Sequence, residues 1–299
     1  MTNSPVPRGR IGVVFDRSRP PEELTGFARD VEADGADDLW VVEDLGWAGS
    51  ISSAALALSA TGGLRVGIGI APAPLRNPAL LAMELGTLAR LFPGRLVAGI
   101  GHGVPEWMER VGATHPDKLA LLEETVVAVR TLLRGERADL RGKAVRIEDT
   151  ALVHPPAEVP PLVAGVVRPR SLELSGRVAD GTVMAEGQGP ERVAAALARI
   201  ASGRAAAGAT GPHELIVFSH LAVSDDPARV EAALAPIRAE YAAWLGIPAP
   251  DVHFTAGTPA EAAARVRALW AAGADTVVLR PVGADPRGQL GAVLAALEA

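Results

Sequence analysis

The chain has 299 residues, 48% hydrophobic and 21% charged, which supplies apolar material for a sizeable core and excludes a largely disordered chain. A net charge of −6 argues against a broad nucleic-acid or anionic-membrane face, while leaving room for a local basic pocket. With no cysteine, the chain is excluded from disulfide, iron–sulfur, thiolate-zinc and thiol-nucleophile chemistry.

Residues 1–7 lack a basic stretch followed by a long apolar run, so they read as a short tail and not a signal peptide. No run of about 18 apolar residues occurs, so no membrane span is predicted and a cytoplasmic protein is expected. From there, short β-rich runs alternate with longer Ala/Leu-rich stretches, the pattern of a parallel sheet covered by helices. Strands are predicted at residues 10–15, 38–43, 64–70 and 95–100, with helices at 21–34, 50–60, 78–91 and 117–134. Residues 138–161 change texture: an Arg-Gly-Lys centre between short apolar runs suggests a β-hairpin, and the prolines after it suggest a loop. Strands return at 161–167, 181–185, 214–223 and 274–280, with helices at 169–178, 190–207, 227–246 and 259–272.

The predicted fold class is α/β, a (β/α)8 TIM barrel forming one domain over residues 1–299, with an insertion between strands four and five. A doubly wound open sheet gives similar alternation, but eight units over this length favour the closed barrel. A barrel carries its chemistry at the C-terminal ends of its strands. Strand two ends in Glu43-Asp44, and since neighbours on a strand face opposite ways, at most one enters the pocket. The other reading is a helix cap or a surface charge. Strand four ends in Gly99-Ile100-Gly101-His102-Gly103, strand six in Glu186-Gly187-Gln188-Gly189 and strand eight in Arg280-Pro281. These glycines are either turn residues or places where backbone approaches a ring or a phosphate. His102 is either structural or catalytic. The remaining histidines lack ligand spacing, so no metal site is expected, and most read as surface or packing residues. After strand five, Arg168-Pro169-Arg170 opens a helix that is either an anion site, its N-terminus and two arginines attracting phosphate, or a turn carrying two exposed solubilising arginines.

The stretch from Ile70 to Ala82, continued through Leu88–Leu96 to Gly-Ile-Gly-His-Gly, resembles the luciferase-like monooxygenase superfamily in its third strand, third helix and fourth strand. Within it the match is to the branch that uses the deazaflavin coenzyme F420. Ser171–Gly181 resembles the segment joining strands five and six of the same superfamily. The resemblance implies a flavin-like ring against a bulge at Gly69, Ile70 and Ala71, often with a non-prolyl cis peptide. It places an acid–base residue at Asp44 and strand-four loop contacts at His102 and Gly103, with Glu106 or Trp107 on the substrate side; Trp47 and Trp107 either wall that side or are ordinary packing residues. Phosphate contacts map to Gly165, Val166, Arg168 and Arg170, and to Glu186, Gly187, Gln188 and Gly189. The superfamily often has Gly-Pro-Lys where this chain has Arg168-Pro169-Arg170, so either the lost glycine obstructs the phosphate or the arginine charge replaces it.

The implied activity is hydride transfer between F420 and a small-molecule organic substrate, with Asp44 or His102 moving the accompanying proton. The alternatives are a monooxygenase using reduced FMN and O2, and a non-catalytic barrel retained as a binding or structural protein. A homodimer is also implied, paired through helices two and three.

Overall fold

The computed structural model describes residues 8–283 and 285–299, so the predicted tail at 1–7 lies outside it. Eight parallel strands close on themselves: β1 (Arg10–Val14), β2 (Asp38–Val41), β3 (Arg65–Pro72), β4 (Leu96–Gly101), β7 (Leu162–Gly165), β8 (Gly181–Met184), β9 (Glu214–Val223) and β11 (Thr276–Pro281). β8 pairs with β9, β9 with β11 and β11 with β1, so the ring has no open edge and is a (β/α)8 barrel. The open-sheet alternative is thereby excluded.

The hairpin β5 (Ala138–Arg141) and β6 (Arg146–Thr150) stands apart as an antiparallel pair between β4 and β7, where the insertion was predicted. Glu124 fixes its turn by accepting the backbone N–H groups of Lys143, Ala144 and Val145. Three short elements went unpredicted: the helix α4 (Pro105–Arg110), the strand β10 (Thr255–Gly257) beside β9, and the last helix α10 (Pro286–Glu298).

Proline sets the register of the covering helices. α3 (Pro78–Leu91), α6 (Pro169–Val178), α7 (Pro190–Ala207), α8 (Pro227–Leu245), α9 (Pro259–Ala271) and α10 each start on one, where its missing N–H costs nothing. Side-chain caps from Asn77, Asp226, Thr258 and Asp285 satisfy further first-turn N–H groups. The remaining helices are α1 (Leu24–Ala33), α2 (Ser50–Ala60) and α5 (Lys118–Leu133).

Inside the ring, Val14, Trp40, Val97, Val163, Val183, Ile216, Phe218 and Val278 form a closed cluster. Trp40 and Phe218 meet edge to face at 5.3 Å, so the barrel is plugged by packing and cannot act as a pore. That plug is the floor on which the upper rim is built.

Candidate active site

The floor of the rim is shaped at β3. The β3–β4 pairing slips between Ile68 and Ala71, and the Gly69–Ile70 peptide bond is cis. Both residues at this bulge are half-exposed at the C-terminal end of the strand. The Ile70 side chain rests in a cradle of glycines on the neighbouring strands. A Cβ at Gly165 would stand 2.5 Å from Ile70 Cγ2, and one at Gly101 2.8 Å from Ile70 Cδ1. The strand-four glycines therefore make room for an isoleucine, and it is the isoleucine that forms the shelf.

Beside the shelf, one guanidinium draws three loops together. Arg17 leaves the end of β1, pairs with Asp44 after β2, and lies 5.7 Å from the ring centroids of both Trp47 and Trp107. Since β2 and β3 lie between β1 and β4 in the ring, this contact crosses the β3 end of the mouth. Glu43 takes no part. It accepts from Arg76 at 2.8 Å and from the backbone N–H of Ser50 at the start of α2, which is the helix-cap reading of the carboxylate pair. Glu106 is exposed on the first turn of α4.

His102 belongs to a different group from Asp44. Its Nε2 lies 3.2 Å from Ser171 Oγ at the start of α6. Burial, then the charge of Lys118, hold the ring below the ordinary imidazole value. In that first turn Pro169 has no N–H, and those of Arg170 and Ser171 have no intrahelical partner. Arg170 is exposed, whereas Arg168 donates to the Trp244 carbonyl at 3.2 Å and so ties α6 to the C-terminal end of α8. Gly103 has a left-handed φ of 70° beside Pro72 and Met108. Val166 is buried, its N–H donating to Val183.

In the third group the sequence marked Arg280 and Glu186 at the rim but not Asp16, His220 or Tyr241. Arg280, at the end of β11, pairs with Asp16 at 2.8 Å and with Glu186 at 3.2 Å. Tyr241 of α8 donates to Glu186 at 3.0 Å, and His220 of β9 packs edge to face on Tyr241 at 5.0 Å. Burial opposes charge on Glu186, but His220 and Arg280 outweigh it, and the carboxyl lies below the usual carboxylate range. Arg280 does the same for Asp16. Burial also holds His220 below the ordinary imidazole value, against the pull of Glu186. Nδ1 of His220 and Nε2 of Gln188 are buried without a hydrogen-bond partner. Gly187, with φ 85°, bridges to His253 and leaves room for Leu245, so the loop 186–189 is pinned between α8 and the segment before β10.

A cavity of about 320 Å³ opens over this group, lined among others by Asp16, Arg17, His220, Tyr241 and Arg280. Arg17 thus belongs both to this cleft and to the tryptophan pair beside the shelf. Asp16 and Arg17 were legible as residues following the first strand. Tyr241 was not, because nothing in a helical run marks which residues reach the rim. Among the described residues no cluster of His, Asp and Glu is arranged for a metal ion.

Most of this rim sits on residues that one family pattern covers: the sequence matches the luciferase-like monooxygenase family over residues 8–276. The chain belongs to that family. Its curated relatives include a 5,10-methylenetetrahydromethanopterin reductase of Methanolobus tindarius, 26% identical over 72% of this chain and 65% of that protein. An F420-dependent glucose-6-phosphate dehydrogenase of Nakamurella multipartita is 29% identical over 57% of this chain and 54% of its own length. The matches therefore span less than two thirds of these luciferase-like relatives. Among solved structures, an F420-dependent secondary alcohol dehydrogenase, in complex with an F420–acetone adduct, superposes with a TM-score of 0.85 at 19% identity. That match covers 97% of this chain and 99% of the other, and it establishes the shared barrel.

Proposed function

We propose that this chain is an oxidoreductase, transferring a hydride between coenzyme F420 and a small organic substrate. The carrying observation is the β3 bulge, which presents Gly69 and Ile70 to the mouth on a glycine cradle. A planar ring needs such an apolar shelf, here formed by Ile70, and the relatives named for F420 favour a deazaflavin on it. In this reading Gly69, Ile70 and Ala71 back the ring, with His102 and Gly103 beside it. The open N–H groups of α6, with Arg170 and Gly165, hold phosphate and Arg168 braces that turn; Val166, expected there, is buried with its N–H given to Val183 and makes no phosphate contact. The Glu186–Gly189 loop completes the cofactor side, and the orphaned Gln188 Nε2 is a donor without a protein partner there.

When bound, F420 supplies the carbon that exchanges hydride. The chain supplies orientation, exclusion of water and a proton path. Asp44 or His102 moves the proton, while Trp47, Glu106 and Trp107 wall the substrate side. The reading includes one barrel domain, a cytoplasmic setting and a homodimer paired through α2 and α3. Leu56, Leu80, Met83 and Leu91 are exposed on those helices and supply apolar surface for the pairing. No helix of the described residues is long and apolar enough to cross a membrane.

The test is a titration of the purified protein with F420 and FMN separately, following tryptophan emission. Saturable F420 binding that FMN does not compete away is the expected result. Tight FMN binding with O2-dependent turnover moves the chain to the flavin monooxygenases, and binding of neither overturns both readings.

A further inference from the structure

Every guanidinium that lines the cleft is already held by a carboxylate. Arg17 pairs with Asp44, Arg19 with Glu23, and Arg280 with both Asp16 and Glu186. No lysine lines the cleft, and Glu240, which does, makes no ion pair among the described residues. Two buried nitrogens on these walls lack a hydrogen-bond partner. Nε of Arg19 belongs to a guanidinium stacked over Phe15 and Phe27, at 5.7 and 5.0 Å from their ring centroids. Nδ1 of His220 belongs to a ring set edge to face on Tyr241 and tilted on Phe254, at 5.0 and 6.1 Å, in a residue that is 5% exposed and lines the cavity.

A phosphorylated substrate entering this cleft would face Asp16 and Glu240 with no cation free to meet it. Freeing one means breaking Arg17 from Asp44, or Arg280 from Asp16 and Glu186, and stranding a carboxylate in a desolvated place. An alcohol or carbonyl oxygen carries no such penalty. It also offers His220 Nδ1 the partner that the protein does not.

We propose that the cleft binds an uncharged alcohol or its carbonyl counterpart, hydrogen-bonded to His220, and rejects phosphate esters. This rests on the hydride-transfer reading above and sets the chain apart from relatives named as glucose-6-phosphate dehydrogenases. In the oxidising direction the carbinol C–H bond breaks and its electron pair leaves as hydride to oxidised F420. The O–H proton passes to a protein base or water, and the C=O bond forms.

Turnover is measured by loss of the deazaflavin's visible absorbance with isopropanol, cyclohexanol, glucose and glucose-6-phosphate. The phosphate ester should be at least about tenfold poorer in kcat/KM than the neutral sugar, because like charges face each other in the cleft. Glu240→Lys, which introduces an uncommitted cation, should narrow that gap. A wild-type preference for the phosphate ester overturns the proposal.

A binding arm needs no turnover: the protein is titrated with cyclohexanol, with and without inorganic phosphate, reading tryptophan emission. Saturable cyclohexanol binding that phosphate does not displace is expected, and no binding, or displacement by phosphate, overturns the proposal. His220→Phe keeps the ring and removes its nitrogens, so cyclohexanol affinity should fall about tenfold while F420 affinity stays within about twofold. Unchanged cyclohexanol affinity in that variant overturns the role of His220. A wild-type protein that fails to bind F420 sinks the cofactor reading alone, leaving the binding arm to judge the cleft.

Discussion

The two ends of this barrel each carry a buried group of charges, and they are finished differently. At the N-terminal ends of the strands, Arg65 of β3 grips Asp38 of β2 through two bonds at 2.8 and 2.7 Å. Arg65 also reaches Glu214 of β9 at 2.7 Å, and Arg10 of β1 closes on Asp38 at 2.6 Å. Asp38 is wholly buried, with both carboxylate oxygens bonded. At the C-terminal ends, Asp16, Glu186, Tyr241 and Arg280 are also joined, yet the His220 and Gln188 nitrogens beside them have no partner. The lower group closes the fold, and the upper one keeps capacity for a ligand. That is the division of labour expected of this architecture, with stability at the bottom and chemistry at the top.

The largest effect expected from this contrast is on stability. Asp38→Ala strands Arg65 and Arg10 over a dry floor, and should cost about 3–5 kcal/mol in urea unfolding, the usual result of breaking a buried pair. F420 affinity, measured on the folded fraction, should stay at the wild-type value. A variant as stable as the wild type would show that the lower group is not what holds the barrel shut.

Glu186→Gln probes the upper group and should do the reverse. Glutamine still accepts from Tyr241, and Arg280 keeps Asp16, so stability should move by no more than about 1 kcal/mol. F420 affinity should drop by about tenfold, a step of 1.4 kcal/mol, as the 186–189 loop loses its anchor on Arg280. Equal unfolding losses in Asp38→Ala and Glu186→Gln would erase the distinction between the two ends.

The lower half was easier to read in the sequence than the upper. All eight barrel strands follow from runs that are apolar on both faces, because helices cover one face and side-chain packing fills the other. The hairpin was legible from its Arg-Gly-Lys turn. The short α4 was not, since six residues are too few for a helical period to emerge, and the final helix was left out of the predicted alternation. At the rim, composition marked the polar loops but not their pairing. Arg17 joining Asp44 to two tryptophans, and Tyr241 reaching Glu186, depend on side chains meeting across the mouth from distant loops. No local pattern encodes such contacts. The strand-four glycines were read either as turn residues or as room for a ring or phosphate, when much of the space they leave is filled by Ile70.

The smallest expected effect separates two histidines that titrate alike but are bonded differently. Burial holds both His213 and His253 down at about 4, from an ordinary 6.5. As pH falls below 6.5 the unfolded chain takes up these protons first, so each ring withdraws stability progressively until its folded value is reached. Either histidine replaced by glutamine should flatten the acid side of the stability curve in that window. At neutral pH the two should part. His213, at the lower end, shares a 2.8 Å bond through Nε2 with Thr182, whose loss should cost about 1 kcal/mol, while its Nδ1 is buried without a partner. His253, beside the upper loop, has its buried Nε2 unpartnered, so glutamine there removes no bond from that atom and should cost less. Urea unfolding of both variants at neutral and mildly acidic pH makes the comparison. A neutral-pH cost as large for His253→Gln as for His213→Gln would mean that the Thr182 bond is not what sets the two rings apart.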